Sequence, residues 1–246
     1  MLTLSALVLT TTACSLPRLV PKAEDSKTAE EDRTPITETQ HLDSFTEIEF
    51  RGGGIIYLEQ AKENSIKIEG NKNAVEAVKI EVRNGRLIID QDRSALQWLN
   101  DVEAPTFTIR FSDLSHFKLE GGAKVVANDL TLENLSLKVT GGASLSMDSF
   151  FAKSIMMDLE GGVVVDISGE ASQQDLKFAG GINYEAEDFK GEDVKLKMEG
   201  AGNAILWASQ HLDLDLSGAY NVKYYGKPRL SQNVQGIGNL EALGEK

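Results

Sequence analysis

The segment that decides the fold begins Leu119-Glu-Gly-Gly-Ala123 and returns as Val139-Thr-Gly-Gly-Ala143 and Leu159-Glu-Gly-Gly-Val163. Its first glycine recurs at steps of 20, 20, 19, 20, 18 and 18 residues. These glycines are Gly121, Gly141, Gly161, Gly180, Gly200, Gly218 and Gly236. Self-similarity at a fixed period of this size is typical of a solenoid, in which stacked repeats share one continuous core.

The residues before each first glycine alternate between apolar and polar. Two positions before it stand Leu119, Val139, Leu159, Phe178, Met198, Leu216 and Val234. Four positions before it stand Phe117, Leu137, Met157, Leu176, Leu196, Leu214 and the one polar exception, Gln232. Every residue between these two columns is polar. Alternation of period two predicts a half-buried strand that leads into the glycine.

The pattern resumes after the glycine. Four positions after it stand Val125, Leu145, Val165, Tyr184, Ala204, Val222 and Leu240. Six positions after it stand Ala127, Met147, Ile167, Ala186, Leu206, Tyr224 and Ala242. Each repeat is therefore predicted to contain two inward-facing strands joined by a glycine bend, followed by a loop to the next repeat. One repeat cannot bury its apolar edge alone, so the sequence predicts an all-β solenoid with rungs of 18–20 residues.

Glycine has a physical reason to occupy the bend. A sharp corner between strands requires positive φ or a close approach of two backbones, and glycine satisfies both without steric cost. The predicted structural corner glycines are Gly121, Gly122, Gly141, Gly142, Gly161, Gly162, Gly180, Gly181, Gly200, Gly218 and Gly236. Calcium-binding nonapeptide rolls and leucine-rich repeats are excluded because their consensus residues do not occur.

The N-terminal 40 residues are predicted to lie outside the folded domain. Residues 1–14 contain an uncharged apolar run and end Thr-Thr-Thr-Ala-Cys14, which is typical of a signal peptide and similar to a bacterial lipoprotein signal. Cys14, the only cysteine, is the predicted lipidation site; the alternative is an ordinary secretory signal. Residues 15–40 hold three of the five prolines and many charges, and are predicted to form a disordered tether.

Residues 41–243 are predicted to form a single domain, with the regular glycine repeats in 115–243. Residues 41–114 show less regular strands and are predicted to form a β-rich N-terminal cap together with the first rungs. The strand candidates are Phe45–Phe50, Ile55–Leu58, Ser65–Ile68, Lys79–Val82, Arg86–Ile89 and Phe107–Phe111. Asn84-Gly85 predicts a tight hairpin, and Asn73–Ala77 and Ser94–Leu99 predict short helical turns.

These motifs resemble a known family. The Arg51-Gly-Gly-Gly54 corner, the segment Val82–Ile89, the Gly-Gly-Ala repeats, the tripeptide Gly181-Ile-Asn183 and the closing segment Tyr225–Gly238 are similar to the putative auto-transporter adhesin head GIN domain family. The resemblance covers about Asp43 to Leu243. It implies a right-handed parallel β-helix-like fold in envelope proteins, often lipoproteins, and it brings no catalytic residues to transfer.

Charge limits the classes of partner. The chain carries a formal net charge of −13. Residues 15–40 contain six acidic and four basic side chains, so the net charge of the residues after 40 is −11. An acidic domain is unsuited to nucleic acid and to direct docking on anionic lipid headgroups. The expected membrane contact is therefore the lipid on Cys14.

Several polar groups are candidate sites. Asn183, Asn203, Asn221 and Asn239 form a column three positions after the glycine, which is either a ligand strip or a hydrogen-bonded structural ladder. Asp129, Asp148 and Asp188 recur after the second strand, where a weak calcium strip and ordinary turn chemistry are the two alternatives. The three histidines are scattered and suggest neither a metal site nor a triad. Trp98 and Trp207 either stack on sugars or serve packing.

The sequence favours a non-enzymatic adhesin-like or interaction module, exported to the cell envelope and held at the outer membrane by its lipid. No cofactor, metal or catalytic residue is predicted. The expected partners are the membrane through the lipid, a protein or glycan ligand, and further copies of the chain. The alternatives are a polysaccharide-active β-helix enzyme and a periplasmic structural scaffold.

Overall fold

The computed structural model describes residues 34–91 and 104–246. These residues form an all-β structure in one open sheet, with one short helix. The elements are β1 Pro35–His41, β2 Glu47–Gln60, β3 Ser65–Asn71, α1 Lys72–Glu76, β4 Val78–Arg83, β5 Arg86–Gln91, β6 Thr106–Phe111, β7 His116–Val126, β8 Thr131–Tyr225 and β9 Arg229–Gly244. The strand order is β1-β3-β6-β2-β7-β8-β9, and β5 pairs with both β2 and β4. No helix within the described ranges is long and apolar enough to cross a membrane.

Consecutive repeats pair in parallel, and their glycines lie side by side. Gly121 of β7 pairs with Gly141 of β8, and Gly218 of β8 pairs with Gly236 of β9. The register shift between neighbouring strands therefore equals the repeat length read from the sequence. Arg51-Gly-Gly-Gly54 lies in the region predicted to contain the first rungs, and it forms a rung, because β2 pairs in parallel with β7 and Gly52 pairs with Gly121.

The apolar columns on both sides of each glycine are buried in the first six repeats, except that Tyr224 is half-buried. Leu119, Leu137 and Met157, for example, expose 2% of their surface or less. Aromatic rings pack against one another within this core, as Phe178 and Tyr184 do with ring centroids 5.2 Å apart. The inward-facing strands predicted from the alternation are confirmed for these repeats.

The seventh repeat differs from the first six. Val234 is 40% exposed although its counterparts in the earlier repeats are buried, and Leu230 is 38% exposed. The reason is positional, because β9 is the last strand in the sheet order and pairs with β8 alone among the described residues.

The predicted loops between repeats are wrong for the connections within β8. Residues 131–225 form one uninterrupted extended run, so the connections are also strand. When two parallel coils stack in register, the backbone of each connection finds its hydrogen-bond partner in the next coil, and no loop is needed. The connections also add apolar groups to the core, including Phe150 and Phe189, which are fully buried.

The N-terminal part contains the predicted strands in a different arrangement from the repeats. Five of the six strand candidates lie wholly in β2 to β6, and the sixth, Phe45–Phe50, overlaps β2 from Glu47 onward. Asn84 and Gly85 form the predicted two-residue hairpin between β4 and β5, both with positive φ. Helix α1 is capped by the Asn71 side chain, which accepts a hydrogen bond from the Ala74 amide at 2.9 Å. The second predicted helical turn, at 94–99, lies outside the described residues.

The predicted boundary of the tether is wrong. The predicted disordered tether includes residues 35–40, but Pro35–His41 forms β1 and pairs antiparallel with β3. Most side chains of β1 are exposed, so composition alone does not reveal this strand. Its stability comes from backbone pairing to β3, which a local reading of hydrophobicity does not register.

The two glycines of each corner have different roles. The first glycine of each repeat has positive φ, for example +118° at Gly161. A Cβ atom on Gly161 would overlap the carbonyl oxygen of Gly141 in the preceding repeat. By contrast, a Cβ on Gly162 would meet nothing within 4 Å. The first glycine is therefore required by both backbone conformation and close stacking, whereas the second is not.

Candidate functional site

Two grooves run across neighbouring repeats and are the candidate binding surfaces. The corner groove follows the glycine bends and has a volume of about 610 Å³. The flank groove lies over the segment that leads into the first strand of each repeat and has a volume of about 640 Å³. Both volumes fall within the range of about 300–1,000 Å³ that is usual for small-molecule sites.

The corner groove is shallow and has no charged residue in its lining. Its lining residues are Gly162, Val163, Val164, Gly181, Ile182, Asn183, Ala201, Gly202, Asn203, Ala219, Tyr220, Asn221 and Ile237. Val164 and Ile237 are 48% and 86% exposed and supply the apolar surface. This uncharged lining contrasts with the net charge of −13 on the whole chain.

Three of the four predicted strip asparagines line the corner groove, and Asn239 continues the column beside it. Asn221 donates from Nδ2 to Oδ1 of Asn203 at 3.3 Å, and Asn239 donates to Asn221 at 3.4 Å. Asn183 leaves the ladder and donates to Glu185 at 2.8 Å. The geometry thus contains the structural ladder, but each amide offers two donor hydrogens and two acceptor lone pairs, so hydrogen-bonding capacity remains for a ligand.

The flank groove combines an apolar floor with a charged rim. Ile155, Val194 and Leu212 form the floor and are almost fully buried. The charged or titratable lining residues are Asp175, Asp193, Lys195, His211, Asp213 and Arg229. Of these, Asp193 and His211 contact each other, with Oδ1 and Nδ1 2.6 Å apart.

Sequence reasoning missed the flank groove, although the signal was present. The apolar alternation extends one step further than the two columns, to the sixth position before each first glycine. That column reads Ser115, Leu135, Ile155, Gln174, Val194, Leu212 and Leu230, which is apolar in five of the seven repeats. The residues directly before and after this column supply the charged rim. A search for isolated catalytic motifs does not find such a rim.

The most buried carboxylate belongs to an ion-pair cluster at the start of the repeats. Glu49 is 6% exposed and accepts hydrogen bonds from Lys118 at 3.1 Å and Arg51 at 2.7 Å. Burial is the largest influence and raises the pKa of Glu49, but the hydrogen bonds and positive charges of Lys118 and Arg51 together hold it below its ordinary value of 4.5. Since both cations are engaged with carboxylates, the cluster is interpreted as structural.

The three aspartates considered for calcium do not converge. Asp129 has positive φ, as in a turn, and its amide donates to the carbonyl of Asp148 at 2.9 Å. The Asp148 side chain accepts from Ser168, and Asp188 pairs with Lys246. Within the described ranges, no three histidine, cysteine, aspartate or glutamate residues are grouped so as to hold a metal ion.

The remaining candidates fall in separate places. His116 contacts Ser115, and His211 lies in the flank groove. Trp207 lies beneath Lys246, whose Nζ is 5.6 Å from the ring centroid. Cys14 and Trp98 lie outside the described residues.

Comparison with known proteins places the chain beside a family of adhesin-like domains. The family model described as putative auto-transporter adhesin, head GIN domain, matches residues 44–228. Among curated proteins, none matches the chain.

Three solved structures share the fold. A putative adhesin from Bacteroides fragilis NCTC 9343 is 22% identical with a TM-score of 0.79, over 85% of this chain and 97% of that chain. A putative lipid binding protein from Parabacteroides distasonis ATCC 8503 is 15% identical with a TM-score of 0.65, over 85% and 96%. A putative adhesin from the same strain is 20% identical with a TM-score of 0.64, over 87% and 98%.

Proposed function

Because this chain belongs to the family of the putative auto-transporter adhesin, head GIN domain, we propose that it is a non-enzymatic, adhesin-like interaction module of the cell envelope. The observation that carries the proposal is the corner groove, a long uncharged surface on an otherwise acidic chain. In this role the module binds a ligand at this surface and does not catalyse a reaction on it.

The proposed architecture is a right-handed parallel β-helix-like solenoid with rungs of 18–20 residues. The parallel pairing of Gly121 with Gly141 and of Gly218 with Gly236 supports it, since each shift equals one repeat. The fold shared with the adhesin from Bacteroides fragilis supports the all-β architecture. Such a rod is suited to adhesion because each rung repeats the same surface and lengthens a single binding strip.

The proposed attachment is a lipid on Cys14. The small residues before this cysteine and the absence of any second cysteine support it. Residues between Cys14 and β1 then act as the tether. Attachment to the outer membrane follows from this lipid, and the adhesin role requires the domain to face outward.

The corner groove favours an uncharged glycan as ligand. A charged ligand needs a countercharge, and the groove lining contains none. Amide groups with spare hydrogen-bonding capacity suit sugar hydroxyls, and the half-buried ring of Tyr220 offers an apolar face to a sugar ring. The shallow shape fits an extended chain that lies across several rungs.

Calorimetric titration with a panel of neutral oligosaccharides tests this proposal. Val164→Glu should abolish binding, because it places a carboxylate in the uncharged groove. Phe151→Glu is the matched control, since Phe151 is also 48% exposed but lies outside both groove linings. Binding that survives Val164→Glu, or that is lost equally in both variants, would refute the corner groove as the site.

A polysaccharide-active enzyme is the second candidate function, and one observation on the flank groove favours it. Asp175, Asp193 and Asp213 line one groove together with Lys195 and Arg229, and glycan-cleaving sites use carboxylates of this kind. Incubating the protein with envelope polysaccharides and measuring new reducing ends distinguishes the candidates. Turnover that is lost in Asp193→Asn would favour the enzyme; the interaction module predicts no turnover.

A further inference from the structure

The two ends of the parallel stack differ in whether antiparallel strands pair with the outermost parallel strands. At the N-terminal end, β2 pairs in parallel with β5 and β6, and each of these strands pairs on its other side with an antiparallel strand, β4 or β3. The apolar residues there are closed off, as Phe107 and Ile109 show with no exposed surface. The parallel stack is thus closed at this end by antiparallel strands.

At the C-terminal end, β9 has a free edge within the described part of the chain. It pairs along one side with β8, from Arg229 to Gly244, and is last in the sheet order. Leu230, Val234 and Ile237 are 38%, 40% and 86% exposed. Backbone groups along an unpaired edge of this length favour pairing with another strand.

The central part of β9, residues 230–240, has none of the devices that usually protect such an edge. Natural edge strands carry charges, prolines or bulges that prevent pairing. Residues 230–240 contain no charge and no proline, whereas the preceding repeat carries Asp213 and Asp215 opposite Ser231 and Asn233. The one irregularity in the β8–β9 pairing falls at Tyr224–Tyr225, beyond this segment. The centre of the edge is therefore open to a partner.

We propose that β9 pairs antiparallel with β9 of a second copy of this chain, which joins two stacks end to end about a two-fold axis at Gly236. The second copy thereby supplies the antiparallel strand that β3 and β4 supply at the other end. A two-fold axis at Gly236 places the bend of one β9 against the bend of the other, because both strands turn at this residue.

This register places the inward-facing side chains of β9 on the same face in both copies. Pairing about Gly236 places Leu230 opposite Ala242 of the second copy and Gln232 opposite Leu240. Every inward position meets an inward position, since side chains alternate with a period of two. The exposed ends of the two stacks then form one continuous core.

Charge at the two ends of the strand also favours an antiparallel partner. Arg229 begins β9 and Glu241 lies near its end, with only uncharged residues between them. The two-fold axis brings Arg229 of each copy diagonal to Glu241 of the other, within reach of a long side chain. A parallel arrangement would instead place like charges beside each other.

Sedimentation equilibrium of the full chain, under reducing conditions so that Cys14 cannot link copies, tests the pairing. We expect a monomer–dimer equilibrium. Val234→Lys should raise the dimer Kd at least about thirtyfold, because an inward-pointing charge blocks edge pairing. Phe151→Lys is the control, since Phe151 is also exposed but lies on an internal repeat outside both grooves, and it should leave the Kd unchanged. Far-UV circular dichroism would verify that both variants fold.

A charge reversal tests the register. Arg229→Glu should weaken the dimer about tenfold, since two symmetric ion pairs become repulsive. Glu241 also pairs with Lys223 of its own chain at 3.1 Å, so the rescue adds Glu241→Arg together with Lys223→Glu, which should restore the Kd to near its original value. A monomer at all concentrations up to about 100 μM would overturn the proposal, as would a dimer insensitive to Val234→Lys; failure of the triple variant to recover would overturn the antiparallel register.

Discussion

Replacing Gly161 by alanine should destabilise the protein, whereas the same change at its neighbour Gly162 should not. At Gly161 the backbone has a φ of +118°, and an added Cβ would overlap the carbonyl oxygen of Gly141. At Gly162 an added Cβ meets nothing within 4 Å. The two positions are adjacent, so composition, charge and exposure of the surroundings are closely matched.

The magnitudes follow from these two environments. Holding a non-glycine residue in a disfavoured backbone region costs about 1–3 kcal/mol. Forcing the neighbouring corner to move costs about 1–3 kcal/mol more, as overpacking does elsewhere. We therefore expect Gly161→Ala to lower the free energy of unfolding by about 2–6 kcal/mol, a large share of the usual 5–15 kcal/mol. Gly162→Ala should change it by less than about 1 kcal/mol, with stabilisation favoured because the unfolded chain loses freedom.

Urea denaturation followed by far-UV circular dichroism measures both variants against the parent chain. The slope of unfolding free energy against urea should stay unchanged, so that the midpoint alone reports the difference. Equal effects at the two positions would refute the assignment of the tight corner to the first glycine. A neutral Gly161→Ala would refute the close stacking of successive corners.

Three further changes test other parts of the structure. Leu137→Asp should cost about 4 kcal/mol or more because it buries an unpaired charge, while Lys138→Gln on the exposed side should cost about 1 kcal/mol or less; similar thermal shifts would contradict the strand register. Tyr184→Phe should raise the free energy of unfolding by about 1 kcal/mol, because the buried hydroxyl has no hydrogen-bond partner among the described residues. A loss of stability would instead show that the hydroxyl is hydrogen-bonded in the folded protein. The stability difference between the parent and Glu49→Gln should shrink as the pH falls from about 5 to about 3, since the folded state holds the pKa of Glu49 below its unfolded value; a difference that does not change with pH would contradict the ion-pair cluster.

The regular part of the fold was predictable because its information is local and repeated. Alternation around Gly121, Gly141 and Gly161 identified the strands, their inward faces and the register between neighbours. The same reasoning failed for β1, where exposed side chains carry no hydrophobic pattern and only pairing to β3 stabilises the strand. It also failed for the connections, since their extended form depends on the coil stacked above and below.

The end of the stack could not be predicted from the pattern. Val234 occupies the same apolar column as the buried Leu216, and nothing in that column tells the two apart. Their exposure differs because, within the described part of the chain, Leu216 has a strand on both sides and Val234 has one on a single side. Burial in a stacked fold is therefore a property of the neighbours as well as of the repeat.

The binding surfaces were predictable in part. The asparagine column was visible in the sequence, but its position in an uncharged groove depends on residues from several repeats. Val164 and Ile237, which supply the apolar surface of that groove, are far apart in sequence and have no motif in common. A surface formed across repeats becomes visible only after the register is known.

Protease treatment of intact cells that make this protein tests the adhesin role most directly. The mature protein would be followed by mass spectrometry, with a periplasmic protein as the marker of cell integrity. The proposed role predicts that the domain is removed while the marker is retained, since an adhesin faces its ligand outside the cell. Protection of the domain in cells where a known surface protein is cleaved would contradict that role and favour a scaffold within the periplasm.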